Sequence, residues 1–285
     1  MYAVTGITGQ VGGVVALALL AAGLDVRAVV RSEQKAQTWA GQGCDVALAE
    51  MHDAQALTRA FSDTEGVFVL LPPNFDPSEG FPESRAMIAA IRQALLAARP
   101  RRVVCLSTIG AQAEQPNLLR QLSMLEAELG SLPMPVAFLR AGWFMENTLW
   151  DIEPAQVTGM IDSYLQPLDK PVPMVATADV GRTAAALLQE DWQGIRVVEL
   201  EGPVRVSPLD IAAALSALLG KPVRAREVPR QRWEDLFRAQ GMRNPAPRAQ
   251  MLDGFNAGWI RFEGQARKGS LPLRAVLEGL TGRGG

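Results

Sequence analysis

The stretch that most constrains this chain is Val4-Thr5-Gly6-Ile7-Thr8-Gly9-Gln10-Val11-Gly12-Gly13, set between an apolar run that begins at Met1 and the apolar segment from Val14 to Ala22, which stops at Gly23. The order reads strand, glycine turn, helix. In such a turn the first glycine permits a tight reversal, the second removes a side chain where a pyrophosphate would approach backbone N–H groups, and the third lets helix and strand pack closely. The implied ligand is an anion at a helix N-terminus, where unpaired N–H groups and the helix dipole both favour negative charge. The spacing is G-x-x-G-x-x-G, not G-x-G-x-x-G, and a glycine triplet alone also suits a βα turn with no ligand. Context favours a dinucleotide, because a strand precedes the triplet, a helix follows it, and a second strand arrives from Asp25 to Val30.

That second strand ends at Arg31. A carboxylate there would hold the ribose hydroxyls of NAD, whereas a guanidinium can pair with the extra phosphate of NADP. Lys35 lies one helical turn on, and the competing reading of Arg31 is a surface residue opening a helix. Alternation continues through a helix from Glu33 to Trp39, a strand from Asp45 to Ala49, and a helix from Ala54 to Phe61 with Asp53 as its N-cap. A strand from Gly66 to Leu71 then stops at Pro72-Pro73-Asn74, before a proline-rich loop and a helix from Glu83 to Ala98. A fifth strand, Arg102 to Leu106, ends in Ser107-Thr108, whose hydroxyls are expected at the crevice formed by the carboxyl ends of the strands. A helix from Asn117 to Leu129 and a strand from Val136 to Leu139 complete six strands alternating with helices. The expected fold is α/β, a doubly wound parallel sheet of Rossmann type.

Beyond Trp150 the alternation loosens. Prolines and short turns fill Asp151 to Pro173, a helix returns from Asp179 to Gln189, a strand is expected from Val197 to Leu200, and a helix from Pro208 to Leu219. Amphipathic stretches from Arg232 to Ala239 and from Arg248 to Trp259 suggest a smaller, mainly helical C-terminal lobe. The expected division is a nucleotide domain over residues 1–150, joined by segments around 175–205, and a substrate or partner lobe over 151–285.

Composition removes several classes of function. With 28 basic and 30 acidic residues, the chain has no electrostatic footprint for nucleic acid. The longest apolar stretch, Val14 to Leu24, is too short to span a bilayer, so no membrane partner is expected. With the first strand at the very start, no signal peptide is expected and a cytoplasmic location follows. Cys44 and Cys105 lie in apolar runs and read as buried thiols. His52 is the only histidine; it reads as a surface or capping group, and a lone histidine makes no metal site.

Three segments together resemble one family. They are the opening Val4 to Gly12, the middle Leu139-Arg140-Ala141-Gly142-Trp143-Phe144-Met145-Glu146-Asn147, and Val175-Ala176-Thr177-Ala178-Asp179-Val180-Gly181. The chain is similar to the NmrA-like branch of the atypical short-chain dehydrogenase/reductases, which includes NAD(P)H quinone oxidoreductases, dye reductases and cofactor-binding regulators. The resemblance covers nearly the whole chain and is weakest after about Gly241. It implies that Gly6, Thr8, Gly9, Gln10, Val11 and Gly12 hold the pyrophosphate and Arg31 the adenosine phosphate, with Glu50 near the adenine. It places Leu71 and Pro72 along the ribose and nicotinamide and Ser107 at the catalytic serine of active members. Gly142, Trp143, Phe144 and Asn147 fall at the nicotinamide end and the acceptor pocket; Trp143 and Phe144 equally suit a plain core. The implied cofactor is NADP, with NAD as the alternative.

One departure from the wider superfamily matters. Its catalytic members use Tyr-x-x-x-Lys, a phenol whose proton transfer is helped by a neighbouring ammonium. Here the only tyrosines are Tyr2 and Tyr164, and neither is followed four residues on by lysine. Two readings follow. One is a reductase that passes hydride to a small acceptor, such as a quinone or dye, whose reduced form takes protons from water. The other is a non-catalytic NADP(H) sensor that acts through a protein partner.

Overall fold

The structure is a computed structural model and describes residues 1–282. In chain order the elements are β1 (Tyr2–Val4), α1 (Gln10–Ala21), β2 (Val26–Val30), α2 (Glu33–Ala40), β3 (Asp45–Leu48), α3 (Ala54–Phe61), β4 (Gly66–Val69), α4 (Pro82–Ala98), β5 (Arg102–Thr108), α5 (Arg120–Leu129) and β6 (Val136–Ala141). There follow β7 (Trp143–Phe144), α6 (Leu149–Thr158), β8 (Met160–Ser163), β9 (Met174–Val175), α7 (Thr177–Gln189), β10 (Ile195–Glu201) and α8 (Pro208–Leu219). The chain ends with β11 (Arg224–Glu227), α9 (Trp233–Ala239), α10 (Ala246–Ala257), β12 (Arg267–Lys268) and α11 (Leu273–Thr281).

Eight of the strands form one sheet in the order β12-β10-β6-β5-β4-β1-β2-β3. The pairs β1–β2, β1–β4, β2–β3 and β4–β5 are parallel, with Val4 opposite Ala28 on one side and Phe68 on the other. The expected mainly parallel Rossmann-type fold is therefore present. Because β2 and β3 lie to one side of β1 while β4 and β5 lie to the other, the strand order reverses at β1, and the crevice of such a sheet opens at that reversal.

The chain divides into two compact units. The first comprises Met1–Ala111, Leu119–Arg140 and Val180–Val198. Its core packs Val29, Val67, Val69, Val103 and Cys105 against Leu57 and Phe61 of α3, Ile91 and Leu95 of α4, and Leu125 and Leu129 of α5, all nearly free of solvent. These strands lack polar alternation because both faces of a parallel sheet are covered. The second unit comprises Gln112–Leu118, Ala141–Asp179 and the described residues from Glu199 on. Beside its helices it holds two short parallel pairs, β8 with β11 and β7 with β9. Its centre is Trp233 and Phe237, both buried, with the Tyr164 ring 5.7 and 5.2 Å from theirs.

Three expectations change in detail. β5 runs to Thr108 and β6 to Ala141, so Ser107 and Arg140 are strand residues. The helix expected from Asn117 starts at Arg120. The stretch expected to be turns after Trp150 holds α6, which tolerates Pro154 in its interior, and then β8. Among the described residues no helix is long and apolar enough to cross a membrane.

Candidate functional site

The glycine turn has one position that needs glycine's backbone freedom and one that leaves no room for a side chain. Gly6 has φ +61°, the left-handed region that glycine enters without strain. A Cβ on Gly12 would stand 2.3 Å from the Gly6 carbonyl oxygen and 2.9 Å from the Ile7 Cα, so the first turn of α1 sits directly on the loop. Gly9 is the N-cap residue of α1, makes no side-chain cap, and donates its N–H to the Gly6 carbonyl at 3.0 Å. The first intrahelical bond runs from the Gly13 N–H to the Gly9 carbonyl. The N–H groups of Gln10, Val11 and Gly12 find no acceptor among the described residues, and the first turn of α1 has no acidic residue to compete for them. Thr8, Gly9 and Gln10 are exposed and Val11 is buried. The first turn of α1 thus presents bare backbone N–H groups of the kind that receive an anion at a helix N-terminus.

The neighbouring strand ends carry the other expected residues. Thr5 Oγ1 donates to the Phe68 carbonyl and accepts from the Leu70 N–H, which ties the end of β1 to the loop holding Leu71, buried, and Pro72, half-buried. Arg31 follows β2, is exposed, and has no ion pair or hydrogen bond among the described residues. Arg27, in the same strand, is committed to Asp45 at 2.6 Å and to the Ala60 and Ser62 carbonyls. Glu50 is exposed just beyond β3, where the Ala49 N–H donates to the Val30 carbonyl. His52 is exposed, and Asp53 caps α3 by accepting from the Gln55 and Ala56 N–H groups.

Ser107 is buried, and its hydroxyl donates to Glu126 Oε1 at 2.5 Å. The same carboxylate receives Arg140 side-on, with Nε to Oε1 at 2.9 Å and Nη2 to Oε2 at 2.7 Å. Both charged side chains are nearly sealed from solvent, 7% exposed for Arg140 and 12% for Glu126. Such a pair is retained because each charge would be costly alone. The serine's single proton is therefore already given to a carboxylate, and only its lone pairs remain for another partner. Burial, and then the Glu126 charge, push the Cys105 thiol well above its ordinary range, so it is no nucleophile at neutral pH. Sequence reasoning did not connect Glu126 with Arg140. The available signal was a lone arginine closing the apolar run Val136 to Leu139, since a cation in a buried strand requires a carboxylate from the helix covering it.

In the second unit, Gly142 donates its N–H to the Leu200 carbonyl and Trp143 donates its own to Pro173. The half-buried Trp143 ring meets Phe255 edge to face, centroids 5.2 Å apart at 85°. Phe144 is half-buried and Asn147 exposed. Between them Glu146 accepts from the Thr177 N–H at 2.9 Å and from its hydroxyl at 2.7 Å, closing the first turn of α7. Asp179 accepts from the Ser270 and Leu271 N–H groups, both at 2.9 Å, and thereby holds the chain before α11. Among the described residues no group of three or more His, Cys, Asp or Glu could hold a metal ion.

The NmrA-like family model matches residues 2–253. A (4-alkanoyl-5-oxo-2,5-dihydrofuran-3-yl)methyl phosphate reductase from Streptomyces griseus subsp. griseus is 32% identical over 80% of this chain and 77% of its own. An NAD(P)H azoreductase from Xenophilus azovorans is 26% identical over 85% of this chain and 82% of its own. The crystal structure of an NADPH-dependent quinone oxidoreductase from Escherichia coli, complexed with NADPH, covers 100% of both chains at 23% identity with a TM-score of 0.82.

Proposed function

From the premise that this chain belongs to the NmrA-like family, we propose that it binds NADP(H) in the first unit and passes hydride to a small electron-poor acceptor of the quinone or dye type, without a tyrosine–lysine dyad. The observation that carries the reading is the turn itself, with three N–H groups at the start of α1 that find no acceptor among the described residues and a Gly12 position that admits no Cβ. The NADPH nicotinamide supplies the hydride. Gln10, Val11 and Gly12 hold the pyrophosphate, and Arg31, without a partner among the described residues, pairs with the adenosine phosphate in preference to the bare ribose of NAD. Following the family resemblance, we assign Leu71 and Pro72 to the nicotinamide and Trp143 and Phe144 to the acceptor. The relatives support the choice of reaction, since each is named as a reductase or oxidoreductase and two for their nicotinamide cofactor.

Ser107 orients and does not protonate. Its hydrogen is held by Glu126, so the protons of the reduced acceptor come from water, which suits products whose new anionic sites are readily protonated. The committed hydroxyl also favours a second reading, a cofactor-occupied sensor that engages a protein partner. Steady-state loss of NADPH with a panel of quinones, azo dyes and triphenylmethane dyes decides between them. Turnover well above background is expected. Intact cofactor binding with no consumption by any acceptor gives the sensor.

A further inference from the structure

We infer that the second unit holds a subsite for an anionic substituent on an aromatic ring, built from Lys170, Arg205 and Arg261 around a wall of Phe255, Ile260 and Phe262. A cavity of about 300 Å³ lies among these side chains, at the lower end of the volumes that take small molecules. Every residue lining it is apolar, glycine or cationic, and none carries a carboxylate. The wall is dry, with Phe255, Ile260 and Phe262 all below 10% exposed, which suits the face or edge of an aromatic ring.

The three cations are not consumed by internal partners. Lys170 Nζ donates to the Phe255 carbonyl at 2.9 Å and the Asn256 carbonyl at 2.6 Å, so one of its three N–H groups is left over. Arg205 Nε meets Glu201 Oε2 at 2.9 Å, but Lys268 occupies Oε1 of the same carboxylate at 2.8 Å, and two cations share one negative charge. Arg261 engages only its backbone carbonyl, which accepts from Gln112 Nε2 at 2.7 Å; its guanidinium has no partner among the described residues. Glu199 accepts from the Glu263 and Gly264 N–H groups at 2.8 and 2.9 Å. Cations in excess, set against an apolar wall, select a sulfonate, carboxylate or phosphate attached to a ring and repel a cationic dye.

The cavity adjoins the acceptor segment. Phe255 is the ring that Trp143 meets edge to face, and Pro173, whose carbonyl accepts the Trp143 N–H, also lines the cavity. That the bound anion is itself the hydride acceptor rests on the reductase reading; that the cavity takes an aromatic anion does not.

Two measurements on the full chain separate these statements. In equilibrium dialysis, naphthalenesulfonate should bind saturably and more weakly as salt rises. Arg261→Gln and Arg205→Gln should each weaken it about tenfold, while Arg274→Gln, which removes the same charge from α11, leaves it unchanged. Absence of saturable binding, or equal effects of Arg261→Gln and Arg274→Gln, overturns the subsite. In turnover, the preference in kcat/KM for a naphthoquinone sulfonate over unsubstituted naphthoquinone should fall about tenfold in Arg261→Gln. If neither quinone consumes NADPH while naphthalenesulfonate binding still depends on Arg261, the reductase reading fails and the subsite stands. If both are reduced in a ratio that Arg261→Gln leaves alone and naphthalenesulfonate binding is equally indifferent to Arg261, the subsite fails and the reductase reading stands.

Discussion

Replacing Gly12 with alanine should destabilise the protein, although exchanging a helical glycine for alanine ordinarily gains about 1 kcal/mol. Residue 12 lies inside α1, so that gain is available. The new Cβ, however, would stand 2.3 Å from the Gly6 oxygen, 2.6 Å from the Gly6 carbonyl carbon and 2.9 Å from the Ile7 Cα, all backbone atoms. Comfortable contacts begin at about 3.5 Å, so the start of α1 must retreat from the turn by about 1 Å. Overpacking of this kind costs about 1–3 kcal/mol, and an unyielding backbone places the cost at the upper end. Net of the helical gain, about 2 kcal/mol is lost. Gly279 is the matched control, interior to α11 with nothing within 4 Å of its added Cβ, and Gly279→Ala should gain about 0.5–1 kcal/mol. Urea midpoints at unchanged m measure both. Because the same retreat spreads the N–H groups to which we assign the pyrophosphate, Gly12→Ala should also lose the rise in Tm expected with saturating NADP, several degrees in the wild type. Gly279→Ala should keep it. If Gly12→Ala gains stability as Gly279→Ala does, or loses stability yet keeps the full NADP effect, the coupling between helix contact and anion cradle is refuted.

Arg31→Ala should weaken NADP about tenfold and leave NAD nearly unchanged by calorimetry, since it removes one charge-assisted contact to the extra phosphate; equal losses for both cofactors would make Arg31 structural. Glu126→Gln removes the carboxylate charge that the buried Arg140 guanidinium meets and should destabilise the protein by about 3 kcal/mol in urea denaturation. Ser107→Ala leaves that ion pair intact and should cost less, while lowering turnover far less than the roughly 10²–10⁴-fold expected for loss of a true acid–base group. Burial, reinforced by the Asp162 charge, raises the Asp151 pKa to about 7 from 3.8. The folded state therefore holds a proton that the unfolded chain releases, so this group's contribution to stability is complete below about pH 4 and is lost as pH rises to about 7. Asp151→Asn should flatten that decline when midpoints are compared across the range; an unchanged slope would place the decline elsewhere.

Local chemistry was enough to read the first half of the sheet. Ala28, Val29 and Val30, like Gly66–Val69, are apolar without alternation because both faces are covered, and Asp53 announces α3 because a carboxylate at an N-cap satisfies orphan N–H groups within its own segment. The strand, glycine turn and helix from Tyr2 to Ala21 were legible for the same reason, since the clash that fixes Gly12 is with Gly6 and Ile7, a few residues back. The expectations beyond Trp150 were less complete. α6 forms across Pro154, and β8, at Met160–Ser163, finds its partner β11 some sixty residues on, a pairing with no local signal. Ser107 is the sharpest case. The sequence by itself determined a hydroxyl at the end of a buried strand, but whether its proton was available depended on Glu126 and Arg140, 19 residues later and 33 residues later, being brought onto one another. Only tertiary structure could decide that, because the cost of burying a charge is met by whichever opposite charge the fold delivers to it, and chain spacing does not record the delivery.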